Sequence, residues 1–201
     1  MKKLLLLIIL AITLSACLIN KNISQPNNNM LKSKKILMVI APKDFRDQEY
    51  LDPRKVFDKN GLEVKVASIQ RGRSVGAEGT EVNIDLTISQ VNENDFDAVV
   101  FIGGPGMLAI IDDDSLQILA KKFYQAGKLT TAICVAPAIL AKAGIINGKK
   151  ATAWSGSQAD LEAGGAIITN EPVTIDENII TASGPAAAHD FAEKIISALE
   201  N

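Results

Sequence analysis

The sequence predicts an α/β fold built on a mostly parallel sheet buried on both faces. Three observations carry that expectation. Continuous apolar runs of strand length occur at Lys34–Ile40, Asp97–Ile102 and Leu129–Ile133, without the polar alternation of a half-exposed strand. Helical stretches separate them, with proline early and glycine just past the end. Candidate chemical groups follow directly after the runs, where open α/β sheets bind ligands.

The chain begins Met1-Lys-Lys, then runs apolar from Leu4 to Leu14. Such a segment is short for a membrane span and suits a signal peptide. It ends Leu14-Ser-Ala-Cys17, which resembles a bacterial lipobox. The expectation is a lipoprotein-type signal peptide over 1–16, with Cys17 lipidated and the protein tethered to a bacterial membrane in the cell envelope. An ordinary secretory signal cut nearby would equally remove 1–16 from the fold. Residues 17–33, rich in Asn with Pro26, read as a flexible tether. The domain is expected over 34–201.

Within it, Lys34–Ile40 is a buried strand and Ala41–Gln48 a polar loop. Tyr50–Lys59 is a helix with Pro53 early and Gly61 as its stop. Leu62–Ser68 is a strand, Arg71–Glu81 a turn region, and Val82–Ile88 a short strand or hairpin arm. The Asp97–Ile102 strand enters Gly103-Gly-Pro-Gly106, and Asp112–Ala126 is an amphipathic helix with acids in its first turn. Leu129–Ile133 is a strand, and Ala136–Ala143 a helix with Pro137 in its first turn. Ala151–Trp154 is a short strand and Ser155–Ala163 a helix. Strands follow at Ala166–Ile168, Val173–Ile175 and Asn178–Ala182, with a hairpin at Asp176-Glu-Asn. A final helix runs from Gly184 to Leu199.

Charge and residue inventory exclude several functions. The net charge is −2, and no basic patch interleaves with aromatics, so nucleic acid is not an expected partner. Two cysteines and one histidine, His189, do not make a Cys/His zinc site, and the chain names no cofactor. With Cys17 lipidated, Cys134 is the sole free thiol.

Cys134 sits where a strand must become a helix. Such a turn pushes its central side chain out of the sheet, and unpaired N–H groups there favour thiolate. A small buried core cysteine fits the same spacing. Glu49 follows the first strand; as a lone acid in a loop it would ordinarily be solvated. Gly104-Pro-Gly-Met-Leu-Ala109 matches a G-x-G-x-x-A fingerprint, but the next strand ends in Ala132-Ile-Cys134, without an acid to hold a ribose. These glycines better serve close backbone approach, with N–H groups aimed at a developing oxyanion.

Five segments together resemble the ThiJ/PfpI family: Lys34-Lys-Ile-Leu-Met-Val-Ile40, Phe45-Arg-Asp-Gln-Glu-Tyr-Leu-Asp-Pro53, Phe101-Ile-Gly-Gly-Pro-Gly106, Ala132-Ile-Cys-Val-Ala-Pro137 and Thr181-Ala-Ser-Gly-Pro185. The resemblance covers Lys34 to Glu200. It implies a flavodoxin-like, class I glutamine-amidotransferase-like sandwich that forms homodimers or larger oligomers. It makes Cys134 the elbow nucleophile, Glu49 the acid that contacts it, and the backbone at Gly104 and Val135 the oxyanion donors. Gly103 and Trp154 would line the pocket, although the spacing of Trp154 also suits plain core.

The chain departs from the family in its histidines. Peptidase-like members carry one directly after the cysteine, where this chain has Val135. Deglycase-like members carry one in the strand after the elbow helix, where it has Trp154. His189 stands at a position where the family has an ordinary packing residue. Peptidase chemistry is therefore not expected, because cleaving a peptide bond needs a base and then an acid for the leaving amine. A Cys/Glu pair suits addition to small reactive carbonyls, as in glyoxalase or deglycase chemistry, or stabilised oxidation of the sulfur. A non-catalytic binding or sensing module on the same fold is the rival.

Overall fold

The computed structural model describes residues 31–200. The expected leader, Cys17 and the tether up to Met30 lie outside the described residues. The packed domain already includes Leu31, which is buried in the core.

The central sheet has seven strands in the order β11-β12-β8-β7-β1-β3-β6. The strands are β1 (Lys35–Val39), β3 (Glu63–Ser68), β6 (Leu86–Thr87), β7 (Ala98–Phe101), β8 (Leu129–Ile133), β11 (Val173–Asp176) and β12 (Ile179–Ala182). All pairings are parallel except the β11–β12 hairpin. Isoleucine, valine and phenylalanine bury β1 and β7 almost completely, as strands covered on both faces require.

Among the described residues, six α-helices complete the frame: α1 (Asp47–Lys59), α2 (Pro105–Ala109), α3 (Asp114–Gln125), α4 (Pro137–Lys142), α5 (Gln158–Ala163) and α6 (Ala188–Leu199). Helix α1 packs on α6, while α4 packs against α3 and α5. These two groups sandwich the sheet.

The register sets up the site. Val39 pairs with Phe101, and Phe101 pairs with Ala132, so β1, β7 and β8 end level with one another. From β1 the chain first builds outward to β3 and later returns on the other side to β7. The strand order therefore reverses beside β1, and the loops after β1, β7 and β8 meet at that edge.

Several expectations need correction. The loop at 41–48 contains β2 (Lys43–Phe45), and the turn region at 71–81 contains β4 (Arg73–Gly76). With β5 (Glu81–Asn83) they form a small second sheet, β2-β4-β5. Its strands are three or four residues long, too short for periodicity to show. Helix α1 starts at Asp47, three residues before the expected start, so Glu49 is helical and buried instead of a solvated loop acid. The misplacement has a local cause. The Arg46 cap makes no side-chain cap bond, and Pro53, read as a first-turn proline, lies inside the helix. The expected strand at 151–154 contracts to β9 (Lys150–Ala151), which pairs with β10 (Ile167–Ile168).

Candidate active site

Cys134 is the residue after β8, and its φ of +65° places it in the left-handed region. A non-glycine residue there carries strain on the order of 1–2 kcal/mol. Neighbouring backbone holds it on both sides. Its N–H donates to the Ala182 carbonyl at 2.9 Å, and its carbonyl accepts the Trp154 N–H at 2.8 Å. The elbow geometry expected at Cys134 is present, with the side chain 8% exposed.

Gly103 follows β7 in the loop that faces this elbow. A Cβ at Gly103 would lie 2.7 Å from the Cys134 Cβ and 2.8 Å from Glu49 Oε2, so only glycine fits between acid and thiol. Gly104, with φ of +111°, is equally confined: a Cβ there would meet the Arg46 nitrogen at 2.4 Å. Arg46 N–H bonds the Gly103 carbonyl at 3.0 Å and ties the two loops together. The Gly-Gly-Pro-Gly segment thus serves close packing, and Pro105 starts the short helix α2.

Glu49 is fully buried in the first turn of α1. Its Oε2 accepts the Gly103 N–H at 3.0 Å, while Oε1 is buried without a hydrogen-bond partner. Burial pushes its carboxyl up to about 7, against weaker opposing pulls from the thiol, the Gly103 N–H and the Arg46 charge. Such a group holds a proton readily at neutral pH, and the unmet oxygen is the place for it.

The thiol departs from expectation. N–H groups of Val135 and Gly104 do reach the sulfur and favour its charged form. Burial is the larger influence, the neighbouring Glu49 adds to it, and together they push Cys134 up to about 12. The elbow alone therefore does not make a free-standing thiolate. Acid and thiol act as one unit, in which a charge on either penalises a charge on the other.

A cavity of about 250 Å³ opens beside the sulfur. Cys134, Val135, Gly104, Trp154, Leu108 and Arg46 contribute to its wall. The volume lies just below the range of drug-sized pockets and suits a small molecule. Trp154 is 44% exposed, so it borders the opening and is not plain core. A Cβ at Gly156 would lie 2.0 Å from the indole, which shows the ring lying across that glycine. Gly103 sits behind the sulfur between acid and thiol, a correction to its expected place in the pocket wall.

His189 stands exposed on α6, 3.8 Å from Glu193, and does not border the cavity. Among the described residues no cluster of His, Cys, Asp or Glu could hold a metal ion. Arg46 and Leu108 line the cavity without being singled out by the sequence pattern. Arg46 had one available signal, its place three residues before Glu49 in the same segment; Leu108 had none.

The family model described as "DJ-1/PfpI family" matches residues 34–198. An uncharacterized protein of Methanocaldococcus jannaschii is 42% identical over 198 residues, covering 97% of this chain and 95% of its own length. A Pyrococcus horikoshii protein named deglycase is 31% identical, covering 83% of this chain and 99% of its own. The crystal structure of a ThiJ/PfpI domain protein from Brachyspira murdochii superposes with a TM-score of 0.81 at 37% identity, covering 82% of this chain and 95% of that one. The family model spans most of the chain, and relatives more than 30% identical cover over two thirds of it, so the chain belongs to the DJ-1/PfpI family.

Proposed function

We propose that Cys134 and Glu49 form a catalytic pair acting on small reactive carbonyls, in the manner of a glyoxalase or deglycase. The carrying observation is the unpartnered Oε1 of a carboxyl poised near neutrality beside the sulfur. Similarity to a protein named deglycase supports the same reading.

The chemistry follows from the geometry. The sulfur adds to an aldehyde carbon, the C–S bond forms, and the C=O π pair moves to oxygen. Glu49 as carboxylate takes the thiol proton as the S–H bond breaks and hands it to that oxygen, giving a hemithioacetal. The N–H groups of Gly104 and Val135, which already reach the sulfur, would serve as donors to the developing oxygen charge. With a 1,2-dicarbonyl, Glu49 as carboxylate removes the proton from the sulfur-bearing carbon. It then returns that proton to the adjacent carbonyl carbon, while the hydroxyl proton on the sulfur-bearing carbon passes to the adjacent oxygen. The resulting thioester is hydrolysed by water to a 2-hydroxy acid, and the thiol is regenerated. No net oxidant is needed, and no histidine takes part.

The test is glyoxal consumption with product analysis. Cys134→Ala should abolish turnover, and Glu49→Gln should lower kcat by about 10²-fold or more. Undiminished rates in both variants would refute the mechanism and leave the binding-module reading.

The lipid anchor at Cys17 is a separate proposal, supported by the lipobox-like Leu14-Ser-Ala-Cys17. Among the described residues no helix is long and apolar enough to cross a membrane. Cys17→Ser should move the protein from the membrane fraction to the soluble one; unchanged membrane binding would defeat the proposal.

A further inference from the structure

We infer that Arg46 is a carboxylate-recognition residue of the Cys134 pocket, and that the preferred substrate is a small aldehyde bearing a carboxylate, of the glyoxylate type. The inference rests on the carbonyl reading of Cys134 and Glu49, and narrows it.

Three observations carry it. Among the described residues, Arg46 is the only charged one in the wall of the cavity, which is otherwise built of glycine, proline, cysteine and apolar side chains. Its Nε is buried with no hydrogen-bond partner. An unmet donor on a cation is costly, and a carboxylate met by a turn of the part-exposed guanidinium would relieve that cost. Finally, the guanidinium is only loosely engaged elsewhere. Its Nη1 contacts Glu78 at 3.3 Å, a pair with side chains 36% and 60% exposed. Such a pair holds orientation more than it saturates charge.

Glu78 is itself held in place. Asp47 accepts the Glu78 N–H at 2.8 Å and the Thr80 N–H at 2.7 Å, and Ala77 N–H bonds the Phe45 carbonyl at 2.9 Å. The 76–80 turn therefore holds Glu78 beside Arg46 from backbone anchored at β2 and α1.

A neutral dicarbonyl would fill the same space without meeting the Arg46 donor. A carboxylate next to the aldehyde would meet it, and fix which face of the carbonyl the sulfur attacks. It would also offset the repulsion an anion meets when Glu49 is ionised.

Two alkylating agents of nearly equal size separate charge recognition from thiol reactivity. Iodoacetate carries a carboxylate and iodoacetamide is neutral. With either, the sulfur–carbon bond forms as the carbon–iodine bond breaks and iodide leaves with the bonding pair. The measured quantity is the ratio of their second-order rate constants at Cys134 in the full chain. Arg46→Gln should lower the iodoacetate-to-iodoacetamide ratio by about tenfold or more, and Arg46→Lys should restore part of it. A ratio unchanged in Arg46→Gln overturns the inference. Changes in sulfur reactivity common to both agents cancel in the ratio.

If Cys134 labels with neither agent, the catalytic reading fails, and titration calorimetry with glyoxylate still decides this one. Heat of binding that vanishes in Arg46→Gln sustains the carboxylate subsite, and absence of binding to the unaltered chain overturns it.

Discussion

Asp47 and Glu49 stand two residues apart in the first turn of α1, and both are buried, at 2% and 0% exposure. Their chemistry is opposite. Burial pushes Asp47 upward, but the Thr80 side chain and the N–H groups of Glu78 and Thr80 outweigh it and hold the carboxyl below its usual value. Glu49 receives one backbone N–H and rises to about 7. Burial sets the cost of charge, and the number of donors decides whether the cost is met. Asp47 is thus a structural anion that ties down a turn. Glu49 is a proton carrier.

The comparison can be broken from the Asp47 side. Asp47→Ala leaves the Glu78 and Thr80 N–H groups without their acceptor and should cost about 2–4 kcal/mol in urea unfolding. A loss under 1 kcal/mol would mean water replaces the carboxylate at no cost. The pH signs should also oppose each other. Asp47, with a lowered value in the fold, contributes stability above its unfolded value of 3.8 that is lost as pH falls through the folded value.

Glu49 works the other way. In the window between its unfolded 4.5 and about 7, the folded state holds a proton that the unfolded state has released, so stability falls as pH rises. The full span is on the order of 3 kcal/mol. Glu49→Gln should flatten that slope and be the more stable protein at pH 8. A slope that survives the substitution would assign the proton to another group.

The space between acid and thiol offers a third test. Gly103→Ala should cost about 1–3 kcal/mol by overpacking and should suppress glyoxal turnover, because the new methyl meets both functional groups. Full activity in that variant would show that the two groups need not adjoin. The smallest effect is expected at the rim. Gly156→Ala should displace the single tryptophan, Trp154, and shift its emission, with stability changed by less than about 0.5 kcal/mol. Unchanged emission would mean the ring does not lie over Gly156.

The two acids also mark how far the sequence could be read. β1, β7 and β8 are long apolar runs, and their spacing carried the parallel sheet and placed Cys134 at a strand end. The β11–β12 hairpin was legible from Asp176-Glu-Asn. Glu49 was visible as a residue but not as a buried helical acid, since Pro53 inside α1 imitates a helix start. Nothing in the local sequence indicates that the N–H groups at 78 and 80, some thirty residues on, return to Asp47. The direction of the Cys134 shift was missed for a similar reason. Helix-end donors are local and readable, whereas the burial that outweighs them comes from the whole assembled core.

The clamp on Cys134 bears on how the protein is made. One of its two anchors is the Ala182 carbonyl on β12, a strand synthesised well after the elbow. A nascent chain that ends before Ala182 holds Cys134, Glu49 and both glycines, yet lacks the strand that fixes the nucleophile's backbone. Unfinished or truncated copies would therefore carry an ordinary thiol, and the paired Cys134/Glu49 unit would form only once the β11–β12 hairpin has been added to the sheet.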